Sequence, residues 1–346
     1  MSYREAAGER LLLELRARDA WNQRAYEAAQ KLAEELAAAA AQDGDDLGWW
    51  NATFLSGECL RKRGLMEESR SVADELAAHP LTTQSKALSA RVFTLRAFAL
   101  QGRGNLAEAV DAARSAVRDA EAAPEQVTIW VEAQNALIAA LAESGRLEDA
   151  WNECLALAEL LSKEPNSQTS GLGYWAIGNV AFLLKRISEG VDYHQLAAKN
   201  LSPTNDLDLW ARFNRGSADF RLAAGIIEPE TLECIERAEL ASSIVGGTER
   251  DRLELKLIRA QWLVLTGQFE AAGKQLTEII DKKHLLASHV AAQAHFLQGQ
   301  ALAGSTSSAD ALADLRLSEE LFLQSGADDR ATTARALIET IQQPQS

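Results

Sequence analysis

Glycine returns along this chain at an interval that excludes most architectures. Gly64, Gly104, Gly145, Gly225, Gly267 and Gly304, with Lys185 filling the place between Gly145 and Gly225, are spaced by 40, 41, 40, 40, 42 and 37 residues. Seven residues before these positions stand Gly57, Ala97, Ile138, Gly178, Ala218, Ala260 and Leu297, and five after them stand Ser69, Ala109, Ala150, Gly190, Glu230, Ala272 and Ala309. Six of the latter seven are small, so two further columns keep step with the turn column. Between the columns apolar residues recur at helical spacing. In residues 253–280 Leu257, Ala260, Leu263 and Val264 mark one helix before Gly267, and Ala271, Ala272, Leu276, Ile279 and Ile280 mark another after it. Each period therefore reads as a helical hairpin turned at its glycine. Continuous repetition predicts one all-α solenoid in which each hairpin packs only on its neighbours.

The turn sequences GNLAEA, GRLEDA and GQFEAA, with their Gly-x-x-x-x-Ala pattern, resemble the tetratricopeptide repeat (TPR). Tyr174, Ile177, Gly178 and Ala181 also match that family's first-helix signature. The period exceeds the roughly 34 residues of the standard repeat, so each helix is expected to be longer by up to a turn. HEAT repeats share the longer period, but the Gly-x-x-x-x-Ala pattern favours TPR-like hairpins. Over residues 47–325 the repeats are similar, at the level of fold, to those of bacterial cytoplasmic regulators of the MalT-like, Rap and PlcR kinds. The resemblance implies a right-handed superhelix of about eight hairpins with a C-terminal capping helix. It also implies a protein- or peptide-binding module, a scaffold or the ligand-sensing part of a regulator, that takes an extended segment in its concave groove. The alternatives it leaves are a Rap-like regulator acting on a response regulator and a purely structural subunit of a complex.

Along the chain, residues 1–46 are expected to form an N-terminal hairpin that turns near Arg18–Ala20. Leu11, Leu12, Leu15, Trp21, Ala25, Ala28, Leu32 and Leu36 are its expected buried stripe. Residues 47–325 hold the repeats, and 326–346 a capping helix with a loose tail, all within a single domain 1–346. Pro80, Pro124, Pro165 and Pro203 fall where second helices should end, and Pro229 just before one begins, both places that tolerate a missing N–H. The first 46 residues offer two long helices and no helix-turn-helix module.

The 35 basic residues against 50 acidic ones give a net charge of −15, so phosphate backbones would be repelled and nucleic acid is not the expected partner. No stretch approaches the length of a membrane span, and no signal peptide is evident, so a cytoplasmic location is expected. Cys59, Cys154 and Cys234 are widely separated and read as small apolar residues in a reducing compartment. His284, His289 and His295 are five and six apart, which puts consecutive members on different helix faces and argues against a metal site. No nucleophile elbow or phosphate loop occurs, so no catalytic residue, cofactor or enzymatic activity is expected.

The expected binding surface is the inner face of the first helices. Ten residues before the turn it presents Phe54, Thr94, Asn135, Trp175, Arg215, Leu257 and Ala294; six before, Glu58, Phe98, Ala139, Asn179, Asp219, Gln261 and Gln298; thirteen before, Arg91 and Arg212. From these columns Arg91, Asn135, Trp175, Asn179, Arg212, Arg215, Asp219 and Gln261 are the candidate peptide-binding residues. A carboxamide can both donate to and accept from one peptide group, so Asn135 and Asn179 could grip a backbone without reading its sequence. Arg212 and Arg215 could hold a carboxylate. Trp130, Trp151 and Trp262 are assigned to the core between hairpins. The partner expected is a protein or peptide, with no nucleic acid and no membrane; a second copy of the chain is a further candidate.

Overall fold

A helix ends cleanly when the residue after it takes the left-handed backbone conformation, because the next two N–H groups then turn back onto its last free carbonyls. Glycine enters that region without steric cost. Gly145 does so with φ of 76°: its N–H donates to the Ala142 carbonyl at 3.1 Å, and that of Arg146 to the Leu141 carbonyl at 3.0 Å. Lys185 repeats the geometry with φ of 59°, Arg186 donating to the Ala181 carbonyl at 2.8 Å. A non-glycine residue is thus forced into the same turn.

The computed structural model describes residues 3–123, 125–163, 167–305 and 308–343. Among them are eighteen α-helices and no strand. They divide into two compact units, Met1–Ala197 and Ala198–Ser346. In the N-terminal unit the hairpins are α1 (Tyr3–Asn22) with α2 (Tyr26–Gln42), α3 (Asp46–Lys62) with α4 (Met66–Ala78), α6 (Lys86–Gly102) with α7 (Leu106–Glu121), and α8 (Val127–Glu143) with α9 (Leu147–Leu161). A short α5 (Pro80–Gln84) precedes α6, and α10 (Gln168–Leu183) is followed by α11 (Ile187–Asn200). The C-terminal unit holds α12 (Leu207–Ala223) with α13 (Pro229–Val245), α14 (Glu249–Leu265) with α15 (Phe269–Asp281), and α16 (Ser288–Ser305) with α17 (Ser308–Gln324). Helix α18 (Asp328–Gln342) packs on α17, as the expected capping helix should. Pro80 and Pro229 each open a helix, Pro203 lies between α11 and α12, and Pro124 and Pro165 lie outside the described residues.

The two helices of a hairpin touch at the small columns. Ser69 Oγ donates to the carbonyl of Gly57 at 3.0 Å, so the five-after and seven-before positions meet directly. A Cβ on Gly178 would stand 2.2 Å from the His194 ring and 3.2 Å from the Gly190 carbonyl. Ala97, Ala109, Ala150, Ala218, Ala260 and Ala272 are all sealed from solvent. The apolar remainder fills the space between hairpins, with Trp50, Leu76 and Leu95 at the core beneath α5, where Trp50 Nε1 donates to Thr82 Oγ1 at 2.8 Å.

Three expectations are corrected. The first hairpin turns at Arg24, with φ of 60°, and not near Arg18–Ala20. Its buried stripe is accordingly Ala17, Ala29, Ala33, Leu36, Ala37 and Ala40, while Leu11, Leu12 and Leu15 are more than half exposed and Ala25 and Ala28 are open to solvent. Arg24 lies 40 residues before Gly64, with buried Ala17 seven before and Ala29 five after, so this hairpin is a full copy of the repeat. In the Gly225 hairpin an extra turn residue puts Thr231, not Glu230, in the small slot; it is buried, and its Oγ1 donates to the Ile226 carbonyl at 3.1 Å. Gly304 is not a turn. It lies within α16 with the Phe269 ring against it, and the close-packing pair of that hairpin is Gly299 and Ala311. This moves the columns of the last hairpin by two residues.

Gly178→Leu should therefore overpack α10 against α11 and lose about 1–3 kcal/mol. Lys185→Gly, two positions past α10, should relieve the left-handed strain and gain about 0.5–1 kcal/mol net of the added chain entropy. Urea denaturation of both variants checks the pair; a loss below about 0.5 kcal/mol at Gly178 would contradict the column assignment.

Candidate functional site

Residues thirteen, ten and six before a turn are three and four apart and share one face of a first helix. Within each unit the first helices lie side by side, α3 on α6 on α8 on α10, and α12 on α14 on α16. Two cavities lie on that face, one in each unit.

In the N-terminal unit a cavity of about 530 Å³ is lined by Arg10, Glu14 and Arg18 of α1, Asn51, Phe54 and Glu58 of α3, and Arg91 of α6. Glu14 and Arg18 stand ten and six before Arg24, so the misplaced first turn hid them from the sequence reading; the signal was the Ala17, Arg24, Ala29 spacing. The Arg91 guanidinium carbon lies 4.2 Å from the Phe54 ring centroid and 4.9 Å from that of Trp50. Its only close partners among the described residues are these rings; no hydrogen bond or ion pair reaches it. Burial pushes its pKa down, while Glu132 and Glu58 act in the opposite direction at longer range. Glu132 is open to water at the thirteen-before position of α8, yet crowded by protein: loss of solvation, reinforced by Glu58, raises its pKa against the pull of Arg91 and Arg61.

Asn135, one turn further on α8, is half-buried, and its Oδ1 has no hydrogen-bond partner among the described residues. A buried acceptor left unmatched is rare in folded proteins. Trp175 is half-buried on α10. Asn179, also half-buried, is committed to its own hairpin, since its Oδ1 hydrogen-bonds His194 Nε2 at 3.0 Å.

In the C-terminal unit Arg212 is exposed and bonded to Asp208 at 2.9 Å, and Arg215 faces Glu254 at 3.6 Å. Both arginines expected to hold a ligand carboxylate thus have one from their own chain. Asp219 and Gln261 do come together, in a second cavity of about 240 Å³ with Leu257 and Ile258 of α14, Gln293 and Phe296 of α16, Phe322 of α17, and Arg330 and Thr333 of α18. The two-residue shift in that hairpin puts Phe296 in the place expected of Ala294, which is fully buried, with Gln293 three residues ahead of it on the same face.

Elsewhere the tryptophans behave as core: Trp151 is buried beneath Arg186, and Trp130 and Trp262 pack against the apolar clusters. The three cysteines are buried free thiols, with burial pushing Cys59 and Cys154 up to about 12. Buried His295 contacts Asp314 at 2.7 Å. No group of three or more metal-ligating side chains occurs among the described residues, nor a helix long and apolar enough to cross a membrane.

No family model matches the sequence, and no curated protein does. Among solved structures, the crystal structure of the APC/C hetero-tetramer Cut9-Hcn1 is similar with a TM-score of 0.64 at 13% identity, covering 92% of this chain and 55% of that one. This chain therefore spans little more than half the length of that relative. A Rap protein complexed with competence and sporulation factor is similar with a TM-score of 0.56 at 11% identity, covering 98% of each chain. With its own repeats, these likenesses in fold make the chain an all-α solenoid of helical hairpins. Its hairpins are of the TPR-like kind.

The two asparagines should respond oppositely to truncation. Asn135→Ala removes an unmatched polar atom and should leave stability unchanged or raised, within about 0.5 kcal/mol. Asn179→Ala takes a partner from buried His194 and should cost about 1 kcal/mol or more. Chemical denaturation distinguishes them, and equal losses at both sites would refute the assignment of Asn135 as unmatched.

Proposed function

We propose that the chain is a non-enzymatic protein- or peptide-binding module that takes an extended segment across the face of its first helices. In this reading it serves as a cytoplasmic scaffold or as the sensing part of a bacterial regulatory system. The observation that carries the proposal is the state of that face in the N-terminal unit. Arg91 keeps its donors unmatched over two aromatic rings, and Asn135, on the next first helix, keeps a buried acceptor unmatched. Donors and acceptors of this kind are what a peptide backbone or an acidic side chain would satisfy. The likeness in fold to a Rap protein complexed with competence and sporulation factor and to the Cut9-Hcn1 assembly supports the same reading. Of the other candidates, Trp175 could add an aromatic wall. Asn179 serves through its hold on His194, while Arg212 and Arg215 would have to exchange their present carboxylates for a ligand's.

The test is selection of binders from a displayed library of random linear peptides, followed by calorimetry on the purified chain. Asn135→Ala and Arg91→Met should each weaken the selected peptides by more than about 1 kcal/mol, while Glu159→Ala on exposed α9 should not. A library that yields no binders, or binders insensitive to both variants, would refute the proposal.

A further inference from the structure

The cavity of the C-terminal unit carries two charges of opposite sign that do not meet. Asp219 lies on α12 and Arg330 on α18; Arg330 acts on Asp219 electrostatically, yet neither side chain forms an ion pair or a hydrogen bond with any described residue. An arginine and an aspartate on one cavity wall would gain from contact unless the geometry keeps them apart. The same cavity is lined by Gln261 and Gln293, two carboxamides with no side-chain hydrogen bond among the described residues. The floor is apolar, with Leu257 buried and Phe296 half-buried. The Arg330 guanidinium carbon lies 6.0 Å from the Phe322 ring centroid, and both residues line the same cavity.

We infer that this cavity binds a free α-amino acid with a branched or aromatic apolar side chain, its carboxylate on Arg330 and its ammonium on Asp219. An internal peptide segment brings no backbone charge, and a peptide end brings one. A free amino acid presents both signs a few bonds apart, with a side chain left to cover the apolar residues. The free volume of about 240 Å³ suits one such residue and is small for a longer ligand. Gln261 and Gln293 supply donors for the second carboxylate oxygen and acceptors for the remaining ammonium protons. Asp219 is open to water yet crowded by protein: loss of solvation raises its pKa, with Arg330 and Arg215 opposing at longer range.

The inference does not rest on the observation that carries the peptide reading, because Arg91 and Asn135 lie in the other compact unit. Calorimetry and thermal shift on the full chain test it with L-leucine and L-phenylalanine, against N-acetyl-L-leucine and L-leucinamide, which each lack one charge. At least one free amino acid should bind with a dissociation constant of about 1 mM or tighter, and blocking either end should weaken it at least about tenfold. Asp219→Asn and Arg330→Gln, both at water-accessible positions, should leave the melting temperature of the free protein unchanged and lower affinity by about tenfold or more. Arg91→Met and Asn135→Ala should have no effect, so failure of the peptide reading and failure of this one are read separately. No heat or shift at about 20 mM of either amino acid would overturn the inference. Equal binding of the blocked forms, full binding by both variants, or binding of a leucyl-leucine dipeptide without the free amino acids would do the same.

Discussion

The rest of the structure depends on how closely the two helices of each hairpin approach. A seven-before residue on the first helix meets a five-after residue on the second, and where both are small the backbones come near enough for Ser69 to donate to the carbonyl of Gly57. At Gly178 the same approach leaves no room for a Cβ beside His194. With the helices this close and the turn residue left-handed, the rotation of each first helix about its axis is set. That rotation decides which side chains face the neighbouring hairpin and which face the cavities. Departures are absorbed locally: Lys185 and Arg24 accept a left-handed backbone, and Thr231 fills the small slot after an inserted residue.

Function follows from the same constraint. With the seven-before position used for packing, several of the thirteen-, ten- and six-before residues face the cavities, although Thr94 and Leu257 on these columns are buried. Arg91 and Asn135 stand at two of these positions. Arg91 and Asn135 in one unit and Asp219 in the other have in common that their side chains find no ion pair or hydrogen bond within the described chain, whereas Arg212, Arg215 and Asn179 lie on the same columns and are paired. Column membership says where a side chain points. Only the neighbours say whether it is free to bind.

The repeat, its period and its all-α class were legible in the sequence because glycine and alanine are selected there by sterics that leave few substitutes. The ends were less legible. Arg24 carries no glycine signal, so the first turn was placed among Arg18–Ala20 and the leucines of α1 were assigned to a core that is in fact built from alanines. Gly304 is small for a different reason, the Phe269 ring lying against it, and it drew the last turn away from its place. The pairing of Asn179 with His194 and of Arg215 with Glu254 could not be read from a column at all, because each partner comes from a different helix whose reach depends on packing.

The close-packing columns are the central claim, and the last hairpin separates them from simple periodicity. Counting from Gly304 puts Ala309 in the small slot, whereas contact with Leu315 and the Ala311 carbonyl puts Gly299 on the packing column and leaves Ala309 exposed. Equilibrium urea denaturation of Gly299→Leu and Ala309→Leu compares the two directly. Loss of about 1–3 kcal/mol for Gly299→Leu with less than about 0.5 kcal/mol for Ala309→Leu is the result this account predicts. The reverse order would contradict it.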